Sequence, residues 1–383
     1  MNLLLRILQK PSISSTYDDQ QWDLLIRQAR SAGLLAHLYH RFINADVFDS
    51  IPQKVKHHLN SEFILSNRQH DAARWEISQI QQALEELGLP IVLLKGAAYL
   101  QTGLPSSSGR FFSDIDILVP RTILIDTEQR LERWGWYTTH HDEYDQKYYR
   151  KWMHEIPPLQ HITRKSTIDV HHNILPLTAR LHPDPEKLIA SSVQINEEFE
   201  LYVLCPEDMV LHSATHLFHD GELEHGLRDL VDLDRLLRHF GEDDEYWERL
   251  VNRSVELELS RPLYYALHYT SAILKTPVPE AILKSDKLDR PSAPMAFLMD
   301  KLLMRALMPA HHSCDDWFTG TARWLLYIRS HYLRMPIHLL IPHLFHKSFI
   351  RPYNEWKEAR KMDKSQNLSK PKTESKPEID IFE

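Results

Sequence analysis

The segment Asp114-Ile115-Asp116-Ile117-Leu118 sets two acids one residue apart inside an apolar run. A β-strand sends alternate side chains to opposite faces, so the two aspartates are expected on one face and the two isoleucines on the other. Aspartate is depleted in strands, and two like charges on one face repel each other. The pattern therefore predicts either an edge strand whose acids lie in water or a site for a divalent metal ion.

A third acid, Asp169, lies in the alternating segment Thr167-Ile168-Asp169-Val170-His171. If this segment and the Asp114 strand are neighbours in one sheet, three carboxylates are expected around one pair of metal ions. Mg²⁺ prefers a few carboxylates together with the phosphate oxygens of a substrate. The third acid favours the metal site over the solvated edge.

A complementary phosphate-binding element is predicted at Lys95-Gly96-Ala97, which follows the short apolar strand Ile91–Leu94. A small residue lets backbone amides approach a triphosphate, and the N-terminus of the following helix favours negative charge. Lys95 and Arg110 would add direct charge on the phosphates. The segment is not a Walker loop, because the pattern Gly-x4-Gly-Lys-Ser/Thr is missing.

The periodicity predicts an α+β fold, with a small mixed β-sheet core between N-terminal and C-terminal helical regions. The predicted regions are an N-terminal helical region (1–88), a catalytic core (89–204), a C-terminal helical domain (205–361) and a disordered tail (362–383). Within the core, further strands are predicted at 136–139, 158–163 and 167–173, with a polar aromatic loop after the first. Helices are predicted at 61–87, 123–134, 207–219, 227–240, 246–259, 262–274 and 292–308.

Composition limits the class of protein. The formal charge of −8 gives no overall attraction to nucleic acid. Only Cys205 and Cys314 are present, too few for a disulfide framework, so a cytoplasmic location is expected. No stretch reaches the roughly 20 apolar residues of a membrane-spanning helix.

Histidines supply a rival metal site and two candidates for an acceptor pocket. His212, His216 and His219 have a spacing that brings three imidazoles near one helix face, but the zinc-hydrolase pattern His-Glu-x-x-His is missing. Roles in helix packing or in an acceptor pocket remain open for this cluster. His171, beside Asp169, either orients that acid, touches substrate or is a satisfied strand histidine.

The segments Leu93–Gly96, Arg110–Val119 and Ile168–His171 resemble the DNA polymerase β-type nucleotidyltransferase superfamily, specifically its largely uncharacterised bacterial branch. The resemblance covers roughly residues 20–240. It implies that a nucleoside monophosphate is transferred from an NTP, with ATP the expected nucleotide, to a hydroxyl-bearing acceptor by a two-metal mechanism that uses Mg²⁺ or Mn²⁺. The residues that it implies are the metal-binding and catalytic acids Asp114, Asp116 and Asp169, the nucleotide-binding residues Lys95, Gly96, Ala97, Arg110 and Ser113, and the acceptor-pocket candidates His171 and His216.

Two features favour alternatives. The superfamily commonly has Gly-Ser or Gly-Gly where this chain has Gly96-Ala97, and loss of that hydroxyl would suit a nucleotide sensor or scaffold that does not catalyse. The segment 323–351 combines aromatic and aliphatic residues with Arg, Lys and His. A basic amphipathic helix of this kind either binds RNA or an anionic membrane, or closes the core of a helical domain.

Overall fold

The computed structural model describes residues 2–140, 142–196, 200–220 and 223–345. Its strands are β1 (Ile91–Leu93), β2 (Ile115–Leu118), β3 (Trp136–Thr138), β4 (Leu159–His161), β5 (Thr167–His171), β6 (Val193–Asn196) and β7 (Leu201–Val203). Its helices are α1 (Leu3–Gln9), α2 (Asp19–Ser31), α3 (Leu35–Ile43), α4 (Gln53–Leu84), α5 (Lys95–Gln101), α6 (Leu124–Arg133), α7 (Glu143–Trp152), α8 (Pro185–Ala190), α9 (Pro206–Thr215), α10 (Gly226–Phe240), α11 (Asp244–Glu256), α12 (Ser260–Tyr269), α13 (Glu280–Leu283), α14 (Ala293–Ala306), α15 (Thr319–Arg334) and α16 (Ile337–Phe345).

The chain divides into two compact units, residues 1–334 and residues 335–383. The first unit contains every strand that the structure describes and helices α1 to α15. The described part of the second unit contains α16. The three-region division and the disordered tail stay predictions, and residues 362–383 lie outside the described part of the chain.

The strands form one mixed sheet within the described residues, in the order β3-β4-β5-β2-β1-β7-β6. Strands β2 and β5 are parallel, as are β1 and β7, and the other neighbouring pairs are antiparallel. All three residues of β1 are buried, as expected for a short apolar strand with neighbours on both edges. The mixed sheet with its flanking helices confirms the α+β fold.

The long helix α4 supports the sheet. It begins after Pro52 and is followed by a 3₁₀ turn and Gly88, whose φ of +59° lies in the left-handed region that favours glycine. Ile77, Ile80 and Leu84 are buried on the face of α4 that packs into the core. The predicted stop at Gly88 is therefore confirmed.

The predicted polar aromatic loop after β3 is wrong, because this stretch contains α7. The Asp142 side chain caps the helix by accepting a hydrogen bond from the backbone N–H of Tyr144. Acids in the first turn and Arg150 with Lys151 in the last turn also suit the helix dipole. No residue of α7 is fully buried, so the helix lacks the clear apolar stripe that would have predicted it.

The segment 323–351 is not one continuous helix. Helix α15 ends at Arg334 and α16 begins at Ile337, with Pro336 between them. Proline has no N–H to donate and clashes with a preceding helical turn, which explains the break. Residues 346–351 lie outside the described residues, and among the described helices none is long and apolar enough to cross a membrane.

A buried histidine makes the stability of this fold depend on pH. His37 Nε2 lies 3.1 Å from Arg235 Nη2, and burial, followed by the charges of Arg235 and Arg41, holds the pKa of His37 well below its usual 6.5. As the pH falls below about 6.5, the unfolded chain takes up a proton that the folded protein excludes. The free energy of unfolding should then fall, by at most about 1.4 kcal/mol per pH unit for this one group.

The contribution of His37 can be isolated by comparing the protein with a His37→Gln variant, which keeps a hydrogen-bond acceptor for Arg235 but cannot titrate. Urea unfolding at pH 7.5 and pH 5.5 should show a larger loss of stability for the unaltered protein than for the variant. Equal losses would rule out His37 as the source. The other histidines are common to both proteins and cancel in the comparison.

Candidate functional site

The parallel pairing of β2 with β5 brings two of the predicted acids together. Asp116 and Asp169 are direct partners in the register of these strands, and Ile115 and Ile117 pair with Ile168 and Val170. The apolar residues are buried in the core. The sheet therefore places the two aspartates side by side, although they are 53 residues apart in the chain.

Asp114 lies immediately before β2 and is half-buried. Its Oδ1 accepts a hydrogen bond of 2.9 Å from Ser113 Oγ. Burial and the neighbouring Asp116 carboxylate raise the pKa of Asp114 above its usual value, because both disfavour a second negative charge here. The arrangement favours a cation near this pair.

A lysine and a histidine side chain contact Asp116, which is only 5% exposed. Lys95 Nζ lies 3.3 Å from Asp116 Oδ1, and His171 Nε2 lies 3.0 Å from the same oxygen. Burial alone would raise the pKa of Asp116, but Lys95 and the hydrogen bond from His171 hold it far below its usual range. Asp116 is thus ionised, and both contacts use one of its two oxygens.

The neighbouring acids raise the pKa of both partners. Burial opposes the charge of Lys95, but Asp116, Asp114 and Glu155 raise its pKa above the usual value. Burial likewise opposes the charge of His171, whereas its hydrogen bond to Asp116 and the nearby Glu155 raise its pKa. Lys95 also has a φ of +43°, a left-handed conformation that is uncommon outside glycine and that recurs at functional sites.

Asp169 has the opposite character to its neighbour Asp116. Burial, followed by the charges of Asp116 and Glu155, raises the pKa of Asp169 to about 8. Among the residues that the structure describes, no donor forms a hydrogen bond with the buried Asp169 Oδ1. Two adjacent carboxylates with pKa values pushed apart are an arrangement suited to proton transfer.

The turn between β1 and α5 is shaped by the segment before Asp114. A Cβ atom on Gly96 would overlap the ring of Phe112 and lie 3.2 Å from Arg110 Nε. Helix α4 fixes Phe112, since the Gln69 amide donates to its backbone oxygen at 2.6 Å and accepts from its backbone N–H at 2.9 Å. Glycine at position 96 is therefore required by packing, whether or not phosphate approaches it.

Helix α10 contributes charged residues to the same region. Arg110 Nη1 lies 3.1 Å from Asp232 Oδ2, and Arg228 pairs with Asp229 at 3.0 Å. Burial and the neighbouring charges raise the pKa of Asp232 to about 6, the net result of opposing effects from Arg110, which lowers it, and Asp229, which raises it. The predicted phosphate-binding Arg110 is thus held by an acid from the C-terminal helices.

These side chains surround a cavity of about 330 Å³. It is lined by Lys95, Gly96, Tyr99, Arg110, Phe111, Phe112, Ser113, Asp114, Asp116, Ser213, His216, His225, Arg228, Asp229 and Asp232. Most of the predicted site residues therefore share one cavity, including His216, which begins a π-helical turn at the end of α9. Asp169 and His171 lie beside Asp116 without lining the cavity, and Ala97 packs in the hydrophobic core.

The rival histidine cluster does not form a metal site in the described part of the chain. His212 is buried, and burial with the charge of Lys95 holds its pKa well below the usual value. The residues that do lie close enough together to share one ion are His154, Glu155 and His171, whose ligand atoms are all within 4.8 Å of one another. The three aspartates do not form such a group among the described residues.

Sequence reasoning missed Glu155, the anchoring Gln69 and the α10 acids Asp229 and Asp232. Glu155 lies outside the strands, and an isolated bridge to His171, with backbone hydrogen bonds from the residues next to it, brings it to the site. Asp229 and Asp232 lie three residues apart on the amphipathic helix α10, and both are buried. Two acids among the apolar residues of a helix were the sequence signal that could have identified them, because burial of a charge is costly unless it is paired.

A family model described as "uncharacterised nucleotidyltransferase" matches residues 18–275, which include every predicted site residue. No curated protein and no solved structure matches the chain.

Proposed function

The chain belongs to the family of uncharacterised nucleotidyltransferases, and from that premise we propose that it moves a nucleoside monophosphate from an NTP, with ATP the expected nucleotide, to a hydroxyl-bearing acceptor. The observation that carries the proposal is the parallel pairing of Asp116 with Asp169 beside the cavity that holds Asp114. The sequence resemblance to the DNA polymerase β-type superfamily implies such a set of acids, and membership of that superfamily belongs to this proposal. The bacterial branch of that superfamily is part of the same proposal.

The residues present fit a hard divalent cation. Carboxylate oxygens are the ligands that Mg²⁺ and Mn²⁺ prefer, and Asp114, Asp116 and Asp169, which do not all meet at one point, would hold a pair of such ions between them. Asp169 Oδ1 is buried without a donor among the described residues, and the pKa values of Asp114 and Asp169 are raised because negative charge is crowded here. A bound cation would supply charge neutralisation for the phosphates and for the carboxylates that bind it.

The side chains have separate roles in the proposed reaction. The acceptor hydroxyl oxygen forms a bond to the α-phosphorus, and the bond from that phosphorus to the bridging oxygen breaks, with pyrophosphate taking the electron pair. Ionised Asp169 accepts the hydroxyl proton, a role suited to a group whose pKa lies near neutral pH. Lys95 and Arg110 line the cavity and would bring positive charge to the phosphates, so positioning and charge supply most of the catalysis.

The proposal is tested by incubating the purified protein with each of the four NTPs, Mg²⁺ or Mn²⁺ and fractionated lysate. We expect pyrophosphate release and an acceptor whose mass rises by that of one nucleotide residue. Asp116→Asn should lose both signals, whereas the exposed Asp126→Asn on α6 should keep them.

Calorimetry with each NTP separates the alternatives. If the protein binds an NTP in the presence of metal but releases no pyrophosphate with any fraction, the result would support a nucleotide sensor or scaffold instead of an enzyme. Absence of both binding and transfer would overturn the proposal. Salt-sensitive RNA or vesicle binding that survives loss of the acids would instead support a role for the segment 323–351.

A further inference from the structure

We infer that His154, Glu155 and His171 form a second metal site that takes a transition-metal dication of the Zn²⁺ type. The ligand atoms of these three residues all lie within 4.8 Å of one another. The His154 and His171 side chains are buried, and the Glu155 side chain is only 17% exposed. The inference does not depend on the proposed nucleotidyl transfer, because it concerns other ligands and another class of metal.

The backbone places these ligands firmly. Glu155 forms an antiparallel bridge with His171 at the end of β5. Ile156 donates its N–H to the Val170 oxygen at 3.0 Å, and His172 donates to the His154 oxygen at 2.8 Å. The backbone of residues 154–156 is thus fixed against β5. No loop has to become ordered before the side chains of His154, Glu155 and His171 can meet at one metal ion.

The side chains are close to a common point. Glu155 Oε2 lies 3.5 Å from His171 Nδ1, and the rings of His154 and His171 have centroids 5.2 Å apart at an interplanar angle of 36°. Modest side-chain rotations would bring the three donor atoms to the distances of about 2.0–2.2 Å at which zinc binds imidazole nitrogen and carboxylate oxygen.

The donor set selects the kind of metal. Two imidazoles and one carboxylate are the ligands of zinc sites that keep a fourth position for water, whereas Mg²⁺ favours oxygen ligands alone. The two adjacent sites therefore differ in chemistry. An imidazole-rich site should take Zn²⁺ or Co²⁺ at concentrations at which millimolar Mg²⁺ does not compete.

His171 links this site to the catalytic acids. Its Nε2 lies 3.0 Å from Asp116 Oδ1. When neutral His171 donates a hydrogen bond from Nε2 to this oxygen, Nδ1 keeps the lone pair that binds metal, and a binding metal ion displaces any proton there. Metal-binding histidines usually donate their other N–H to a carboxylate in this way. A metal held by His171 would therefore also fix the orientation of Asp116.

The test uses the full-length protein, stripped of metal by chelator and dialysed. Calorimetry with Zn²⁺, and the absorption spectrum of Co²⁺, are recorded without nucleotide and in the presence of millimolar Mg²⁺. We expect one tightly bound Zn²⁺ per chain and a visible Co²⁺ band. Loss of a residue that only hydrogen-bonds to a metal ligand costs about 10–100-fold in metal affinity. Loss of a ligand itself should cost more, so His154→Gln and Glu155→Gln should each weaken Zn²⁺ binding by about 100-fold or more.

Two controls make the result specific. Asp114→Asn, in the neighbouring carboxylate site, and His182→Gln, at an exposed histidine, should keep the same Zn²⁺ affinity. If the buried His154→Gln variant does not fold, Glu155→Gln decides, since its side chain reaches the surface. Absence of stoichiometric binding, or binding that is unchanged in Glu155→Gln, would overturn the inference and leave Glu155 and His171 as an ion pair.

Failure of this site is distinguishable from failure of the proposed function. Zn²⁺ binding is measured without NTP, and pyrophosphate release is measured with Mg²⁺ and NTP. Loss of Zn²⁺ binding with intact transfer would reject only the second site. Intact Zn²⁺ binding without transfer would reject only the nucleotidyltransferase mechanism.

Discussion

Asp169→Asn is expected to reduce nucleotidyl transfer by about 10²–10⁴-fold, the usual contribution of a general base. Asn has nearly the same size as Asp but accepts no proton and brings no charge to a divalent cation. The turnover number should therefore fall while the backbone pairing of β2 with β5 is kept. Initial rates of pyrophosphate release measure the effect once an acceptor fraction is in hand.

The same variant should not destabilise the protein in metal-free buffer. The folded-state pKa of Asp169 is raised to about 8 from a usual 3.8, so between these values the folded protein binds a proton that the unfolded chain has lost. Stability from this group is present at low pH and is lost as the pH rises toward 8. Asn cannot ionise, so the variant should be at least as stable at pH 8.5.

Thermal unfolding in EDTA at pH 6 and pH 8.5 checks the stability expectation. The unaltered protein should lose more stability than Asp169→Asn across this interval. A variant that is both inactive and strongly destabilised would indicate a structural role for Asp169 instead. The exposed Asp126→Asn should leave both activity and the pH dependence unchanged.

Arg253→Ala is expected to lower the free energy of unfolding by about 3–5 kcal/mol, because it leaves a buried carboxylate without its partner. Arg253 on α11 forms two hydrogen bonds of 2.8 Å with the two oxygens of Asp208, which is fully buried in the first turn of α9. It also donates to Ser191 Oγ at 2.8 Å and to the Lys187 oxygen at 2.9 Å. One guanidinium thus joins α8, α9 and α11.

Helix α11 supplies a matched control one turn earlier. Arg249 lies 2.9 Å from a carboxylate oxygen of Glu207 and 2.9 Å from one of Asp243, but its side chain is half-exposed. Exposed ion pairs contribute about 0–1 kcal/mol, so Arg249→Ala should have a small effect. Urea unfolding of both variants measures the difference, and nearly equal losses would contradict the assigned role of burial.

A double variant separates the lost pair from lost packing. Arg253→Ala combined with Asp208→Asn removes the charge that the single variant leaves buried. We expect the double variant to be more stable than Arg253→Ala alone. If the double variant loses as much stability, relative to the unaltered protein, as the two single variants together, the unpaired charge of Asp208 is not the cause of the loss in Arg253→Ala.

Local patterns in the sequence were sufficient for much of the core. The alternation around Asp116 and Asp169 predicted two strands, and the apolar run at Ile91 predicted a third. Gly88 marked the end of the region before the sheet. These features could be predicted because helix and strand periods and turn residues act within a few positions of the chain.

Other features had no local signal. Helix α7 lacks a buried stripe, and its caps alone did not distinguish it from a loop. Strands β6 and β7 are short, and β7 is held by parallel pairing with the distant β1. The break at Pro336 differs from these, because proline is a local signal that ends a helix, whereas the amphipathic composition on both sides of it predicts one continuous helix.

The sequence by itself determined that acids stand at strand positions where they disfavour folding, and that a glycine turn precedes them. Only the tertiary structure decided that Asp116 lies opposite Asp169, that Lys95 and His171 share one oxygen of Asp116, and that Glu155 adds a fourth carboxylate. The physical reason is that alternation fixes the face of a residue within its own strand. Which strands become neighbours, and which charges then shift each other's pKa, depends on contacts between residues far apart in the chain.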